Sequence, residues 1–279
     1  MIGAGSTVEP QGATRRLLAA NAWLVYAFFY APIVLLIALS FNSNRLVGVW
    51  SGFTFEWYGE MIGNTAVLRA VRNSLIVAAL STVLSTVLGT AAALALDRYR
   101  FRGRQAFDAL LYLPVIVPDV TMAVMLLLFF VRGADALFVI SGASFTLGLT
   151  TITLSHVAFN ISFVAIVVRA RLAGMDRTLE EAAADLYADR WRTFRRVTLP
   201  QLMPGVLGGA LLALTLSLDD VVITSFVSGP GSTTLPVYVF GLVRRGVTPL
   251  INAVSTVMLV ASMLLVVASV LLQRRRAAA

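Results

Sequence analysis

Two adjacent aspartates, Asp219 and Asp220, lie in an apolar stretch with no other charged residue between Arg196 and Arg244. A third, Asp119, interrupts another apolar stretch. An aspartate at the centre of a membrane-spanning helix costs roughly 2.5 to 3.5 kcal/mol on insertion scales, so three of them require a partner or a function. Carboxylates in such surroundings can bind a passing cation, relay protons, cap a broken helix or pair with an arginine.

The two adjacent aspartates are expected to have different roles. Neighbouring side chains on a helix point roughly 100° apart, so Asp219 and Asp220 cannot both face one small gap. We expect one of them to line a cavity while the other caps a helix or pairs with a basic group. The sequence leaves open which residue has which role.

The residue types that are missing exclude most enzymatic chemistry. The chain has no cysteine and all 22 of its basic residues are arginine, which excludes a thiolate nucleophile, a zinc–thiolate site, a Walker A lysine and a Schiff-base amine. With His156 as the only histidine, a multi-histidine metal site is excluded as well. We therefore predict no catalytic residue, no metal and no cofactor. His156 lies one helical turn before Asn160 and is expected to form a hydrogen bond between helices.

Long apolar stretches indicate a membrane protein. Of the 279 residues, 58% are hydrophobic and only 13% are charged, too few charges for the surface of a soluble domain of this length. About 20 apolar residues span a bilayer as a helix. We therefore predict an all-α membrane protein with a single transmembrane domain, residues 1–279, and helices at Leu17–Phe41, Asn73–Leu96, Phe107–Val131, Leu147–Val168, Leu202–Val227 and Pro249–Gln273. In the third helix, Pro114, Pro118 and Asp119 are expected to cause a break that frees backbone carbonyls.

The arginines indicate the orientation of the chain. Loops on the cytoplasmic side of a membrane carry an excess of basic residues. With a cytoplasmic N-terminus, the inside segments hold 16 of the 22 arginines and the outside segments hold six. This predicts that both termini are cytoplasmic, and it accounts for the net charge of +8 without a nucleic-acid partner.

The segment between the fourth and fifth predicted helices, residues 169–200, has a helical pattern of its own. Thr178 and Glu181 have the spacing of a capping box, which starts a helix. One face of that helix is apolar with small residues at its centre: Leu179, Ala182, Ala183 and Leu186. Asp189 is expected to open a second short helix. The apolar face can pack on the chain's own helix ends, on lipid or on a separate protein, and its alanines favour close packing against a protein.

This segment resembles the EAA loop of ABC-importer permeases, whose pattern is Glu-Ala-Ala, three residues, Gly, nine residues, Ile, one residue, Leu-Pro. The spacing is kept throughout, with Val197 in place of isoleucine, Tyr187 in place of glycine, and identical residues at Glu181, Ala182, Ala183, Leu199 and Pro200. Because glycine adopts left-handed backbone angles more readily than other residues, Tyr187 is a departure that bears on the turn between the two short helices.

Five further segments are together similar to the permeases of spermidine and putrescine ABC importers: Tyr30–Arg45, Arg98–Arg104, Val117–Phe130, Leu154–Leu172 and Leu216–Pro236. The resemblance implies a type I importer permease fold in the bacterial cytoplasmic (inner) membrane. It also implies a second permease subunit of similar shape, two ATPase subunits and an extracytoplasmic polyamine-binding protein. The seven pattern residues of the EAA loop would then contact the ATPase subunits and transmit their motion.

The resemblance also implies a role for the acids. Carboxylates separated by apolar or aromatic surface match both the ammonium groups and the methylenes of a polyamine, so Asp119, Asp219 and Asp220 are expected to contribute to its path. One alternative is an ABC permease for another small solute. A second is a proton-coupled secondary carrier, which would use buried carboxylates but would not need an EAA loop.

Overall fold

The computed structural model describes residues 12–45, 48–141, 146–176, 178–244, 246 and 248–277. The described residues form twelve α-helices: α1 Gly12–Leu39, α2 Glu56–Gly63, α3 Thr65–Arg98, α4 Arg104–Ile116, α5 Asp119–Ser141, α6 Leu149–Ala173, α7 Thr178–Asp185, α8 Arg190–Thr193, α9 Leu199–Asp219, α10 Val222–Val227, α11 Leu235–Val243 and α12 Pro249–Ala277. A π-helical turn, Phe194–Thr198, joins α8 to α9. Within these ranges the only extended pairing is a bridge between Asn42 and Phe53. The predicted all-α fold class is confirmed.

Several of these helices are suited to crossing a membrane. Five in the described ranges are long and apolar enough: Thr14–Leu39, Thr65–Arg98, Asp119–Ile140, Leu149–Ala173 and Arg190–Asp219. The described apolar part of the last helix, Pro249–Leu264, is shorter. Each of the six predicted helix positions contains a helix. The count of six spans and the cytoplasmic placement of both termini stay predictions.

Two predicted boundaries are wrong by more than two turns. The third predicted helix ends at Val131, whereas α5 continues to Ser141. The second predicted helix starts at Asn73, whereas α3 starts at Thr65. The reason is a side-chain cap, because Asn64 Oδ1 accepts hydrogen bonds from the backbone amides of Ala66 (3.0 Å) and Val67 (3.3 Å). The arginines that follow in the sequence therefore lie on the first turns of a helix rather than in a loop.

Two predicted helices are each broken in two. The third predicted helix ends at Ile116 and resumes at Asp119, at the point where Pro118 cannot donate a backbone hydrogen bond. The fifth predicted helix, Leu202–Val227, starts earlier as α9 and ends at Asp219. There Asp220 takes an extended conformation (φ −65°, ψ 125°), and a new helix follows. Both breaks therefore lie beside predicted site aspartates.

The core of the chain is formed by α3, α6 and α9, which pack against one another. Val164 of α6 lies at the centre of this contact and is fully buried. Gly89 of α3 and Gly209 of α9 both approach it, and a Cβ added at Gly89 would lie only 2.7 Å from the Val164 Cβ atom. Small residues at these positions let the helix backbones come close together, as is common between membrane helices.

We predict that Gly89→Ala destabilises the protein. Alanine is favoured over glycine in a helix by about 1 kcal/mol, but overpacking a tight contact costs about 1–3 kcal/mol. The matched control is Gly133→Ala in α5, where an added Cβ would meet nothing within 4 Å. Thermal unfolding in detergent should show a lower midpoint for Gly89→Ala than for Gly133→Ala. Equal midpoints for the two variants would mean that this helix contact is looser than described.

Candidate functional site

The two helix breaks open onto one cavity of about 380 Å³. All three aspartates predicted as site residues line it, although they are far apart in the sequence. Its lining residues are Pro114, Asp119, Met122, Phe159, Phe163, Leu216, Asp219, Asp220, Val221, Val222 and Ile223. The structure therefore brings Asp119 of one broken helix together with the acids of the other.

Asp119 and Asp219 present their carboxylates at this cavity. Asp119 is the first residue of α5 and Asp219 is the last residue of α9, and both are exposed. In the described ranges neither carboxylate forms an ion pair with an arginine. Two negative charges are thus available to a ligand in the cavity.

Asp220 has a different environment from its neighbour. Its carboxylate accepts hydrogen bonds from the backbone amides of Ile223 (3.3 Å) and Thr224 (2.7 Å), and from the Thr224 hydroxyl (2.7 Å). It also lies 3.3 Å from His156 Nε2, and its side chain is only 12% exposed. The geometry therefore distinguishes the two residues: Asp220 stabilises the start of α10, whereas Asp219 is exposed at the cavity.

His156 connects four helices through hydrogen bonds. It is fully buried in α6, with Nδ1 2.6 Å from Ser217 Oγ of α9 and Nε2 3.0 Å from Thr224 Oγ1 of α10. Ser217 Oγ in turn lies 2.9 Å from Ser81 Oγ of α3. The expected role of His156 in joining helices is thus observed, and this chain of contacts ends at Asp220.

Backbone groups at the two helix breaks also lie beside the cavity. The helical partner of the Pro114 carbonyl would be the amide of Pro118, and proline has no amide hydrogen. Pro114 lines the cavity, and α9 ends beside it at Asp219. The C-terminal end of a helix carries a partial negative charge of about −0.5, so the ends of α4 and α9 favour a cation here. The starts of α5 and α10 at the same cavity carry the opposite partial charge, which Asp119 and Asp220 offset.

The aromatic part of the lining was missed from the sequence. Phe159 and Phe163 of α6 form an edge-to-face pair with ring centroids 6.4 Å apart. Their faces can contact methylene groups or a cation. The sequence does contain a sign of it. Phe159 follows His156 by three residues and Phe163 follows Phe159 by four, a spacing that places all three side chains on one face of a helix.

The predicted EAA-like segment forms two short helices, as expected, but the predicted capping box is wrong. Thr178 is the first residue of α7 rather than the residue before it, and its backbone amide donates to Asp176 Oδ1 at 2.9 Å. The amide and hydroxyl of Thr178 lower the pKa of the Asp176 carboxyl. The second short helix is opened by Asp189, whose Oδ1 accepts from the Arg192 amide (2.8 Å), as predicted.

The surface of this segment is open. No residue of α7 is buried, and Leu186 and Trp191 are largely exposed. The predicted contact residues are all exposed or half-buried: Glu181, Ala182, Ala183, Tyr187, Val197, Leu199 and Pro200. The apolar face therefore does not pack on the chain's own helix ends, which leaves an external partner or lipid.

Tyr187 adopts the backbone conformation typical of glycine. Its φ is +56°, and in the described ranges it is the only non-glycine residue with a positive φ. A left-handed conformation costs an L-residue about 1–2 kcal/mol. The turn between α7 and α8 is therefore kept without glycine, and the Tyr187 side chain, 95% exposed, points away from the chain's own body.

Comparison of the chain with known proteins identifies a family and close relatives. Residues 85–277 match the profile of the family described as "Binding-protein-dependent transport system inner membrane component". The chain is 47% identical over 239 residues to the putrescine transport system permease protein PotI of Escherichia coli K12, covering 85% of this chain and 84% of PotI. It is 41% identical over 262 residues to the spermidine/putrescine transport system permease protein PotC of Haemophilus influenzae, covering 93% of this chain and 98% of PotC.

The fold is also similar to that of a solved transporter. A chain in the crystal structure of a bacterial ABC transporter that imports the acidic polysaccharide alginate superposes with a TM-score of 0.76 at 20% identity. The match covers 94% of this chain and 95% of that chain. The importer-permease fold predicted for this chain is therefore confirmed.

We predict that Asp220 and Asp219 respond differently to removal. Asp220→Ala leaves two amides and His156 without their acceptor, which should destabilise the protein by about 1–3 kcal/mol. Asp219→Ala removes no internal hydrogen bond to another residue and should change stability by less than about 0.5 kcal/mol. Thermal unfolding of the two variants in detergent checks this. A larger loss for Asp219→Ala would reverse the assignment of roles.

Proposed function

The chain belongs to the binding-protein-dependent transport system inner membrane component family, and from this we propose that it is the permease subunit of an ATP-driven polyamine importer. Its substrate would be putrescine or spermidine, the compounds in the names of its relatives PotI and PotC. The chain is a transport subunit rather than an enzyme. The observation that carries the proposal is the cavity shared by Asp119 and Asp219.

The charges around the cavity favour an organic cation. Two carboxylates and two helix C-terminal ends supply negative potential, and no arginine is among the described lining residues. A small anion would require arginines or uncompensated helix N-terminal ends. The two helix N-terminal ends at this cavity carry carboxylates instead, because Asp119 is the first residue of α5 and Asp220 accepts from the amides of α10. Phe159 and Phe163 add an aromatic surface, which suits the methylenes between two ammonium groups.

The exposed EAA-like segment supports coupling to ATP. The chain has no lysine and cannot form a Walker A loop, so ATP hydrolysis would take place in two separate ATPase subunits. The exposed residues of α7 and α8 would be their docking surface. A second permease subunit would complete the path, and an extracytoplasmic binding protein would deliver the substrate.

The orientation follows from the same arrangement. The EAA-like segment leads into α9 through the π-helical turn and must face the cytoplasm in order to meet the ATPase subunits. This agrees with the excess of arginines in that segment and with the predicted cytoplasmic termini. We place the protein in the bacterial cytoplasmic membrane as a multi-pass subunit.

We predict that the double variant Asp119→Asn/Asp219→Asn slows uptake of labelled putrescine and spermidine by at least about tenfold. Each hydrogen bond to a charged group contributes about 1.5–3 kcal/mol, and 1.4 kcal/mol corresponds to a factor of ten. The matched control is Asp135→Asn, which changes an exposed aspartate of the same α5 helix outside the cavity. Full uptake by the double variant, at normal expression, would exclude these acids from the path.

A second prediction concerns the energy source. Purification through this chain should recover ATPase subunits and a second permease, and vanadate-sensitive ATP hydrolysis should rise when a putrescine- or spermidine-loaded binding protein is added. The substrate-free binding protein is the control. Uptake that continues after ATP depletion but stops with a protonophore would instead support a proton-coupled carrier. Stimulation only by a different solute would support an importer permease for that solute.

A further inference from the structure

A bidentate ion pair holds α7 against the end of α3. Arg98 donates from Nη1 to Glu180 Oε2 (2.6 Å) and from Nη2 to Glu180 Oε1 (2.7 Å). The hydroxyl of Thr198 donates to the same Oε1 at 2.7 Å. The Arg98 and Glu180 side chains are 23% and 19% exposed, so this cluster is partly removed from water.

The three residues belong to three different elements. Arg98 is the last residue of α3, Glu180 lies in the first turn of α7, and Thr198 is the last residue of the π-helical turn before α9. They therefore connect the EAA-like segment to two helices of the core. Glu181 is the residue of the EAA pattern, whereas its neighbour Glu180 makes this contact.

The strength of the cluster matters because α7 has little else to hold it. None of its residues is buried, so apolar packing contributes little to its position. A bidentate arginine–carboxylate pair is among the strongest hydrogen-bonded pairs. The nearby pair Arg192–Asp189, with a single 3.3 Å contact and side chains 67% and 60% exposed, is of the kind that contributes about 0–1 kcal/mol.

The middle of α3 is linked to the cavity. Ser81 lies 17 residues before Arg98, which is about 25 Å along a helix at about 1.5 Å per residue. Through Ser217 and His156, Ser81 is linked to Asp220 at the cavity. A displacement of α7 can therefore reach the substrate cavity through one continuous helix and a chain of hydrogen bonds.

We propose that Arg98, Glu180 and Thr198 form a strut that transmits motion of α7 to α3, and that Arg98 and Glu180 are positioning residues for energy coupling. The proposal rests on the proposed function, because it assumes that ATPase subunits move α7. Through the strut, motion of α7 would reach α3 directly, and not only through the chain segments that connect α7 to α6 and to α9.

The test measures transport per ATP in complexes purified through this chain and reconstituted in liposomes. Glu180→Gln is expected to lower the putrescine molecules imported per ATP hydrolysed about fivefold or more, while ATP hydrolysis itself continues. The matched control is Glu60→Gln, the same chemical change at an exposed position of α2, away from the EAA-like segment, which should keep the ratio unchanged. An unchanged ratio for Glu180→Gln overturns the proposal.

A double variant tests whether the two residues act together. Arg98→Gln leaves the partly buried Glu180 carboxylate without its cation, whereas in Glu180→Gln the Arg98 guanidinium keeps a 3.3 Å contact with Asp97. Because each single change already breaks the strut, Arg98→Gln/Glu180→Gln should be no worse than either of them. Additive losses in the three variants would contradict a strut. If Glu180→Gln does not assemble with the ATPase subunits, Thr198→Val removes the third contact with little change in volume, and an unchanged ratio there likewise overturns the proposal.

Trypsin cleavage separates this inference from the proposed function. On the purified full chain, loss of the strut should speed cleavage after Arg190 in Glu180→Gln relative to Glu60→Gln. If wild-type complexes carry no putrescine, the proposed function fails, and faster cleavage still supports the strut. Equal cleavage of the two variants rejects the strut whatever the substrate is.

Discussion

The dominant constraint on this chain is that polar groups within a hydrocarbon layer must find their partners inside the protein. Few side chains are available for this, since only 13% of the residues are charged. The polar contacts therefore concentrate at a few places. His156 and its serine and threonine partners join α3, α6, α9 and α10, while Gly89 and Gly209 let the core helices approach closely enough for such contacts to form.

The same constraint explains why two helices are broken beside the acids. A broken helix leaves amides and carbonyls without partners. At the second break, the Asp220 carboxylate accepts from the amides of α10 and thereby stabilises the interruption. At the first break, Pro118 removes a donor and leaves the Pro114 carbonyl beside the cavity. Asp119 and Asp219 then face a space beside the carbonyl ends of α4 and α9.

The cytoplasmic part of the chain is held by different forces. The core helices are held by apolar packing around Val164, whereas α7 has no buried residue and depends on the polar contacts of Glu180. An element held in this way can present its apolar face to another protein while remaining attached to the core. Tyr187 keeps the turn that follows α7 in a left-handed conformation, so the arrangement of the two short helices is preserved without glycine.

The helices, the break at Pro118 and the two short helices of the EAA-like segment could be predicted from the sequence because they depend on local chemistry. Apolar stretches predict helices, proline removes an amide wherever it occurs, and the EAA-like spacing predicts two short helices. The start of α3 was predicted too late because the Asn64 side chain begins the helix before the long apolar stretch starts.

Contacts between distant residues required the tertiary structure. The distinction between Asp219 and Asp220 depends on where α9 ends, and on His156, 64 positions before Asp220 in the sequence. The partner of Glu180 is Arg98, 82 residues away. The shared cavity depends on the rotation of each helix about its axis. Composition and spacing thus determined which groups the chain contains, but the packing of helices decided which of them meet, because that choice depends on all neighbours at once.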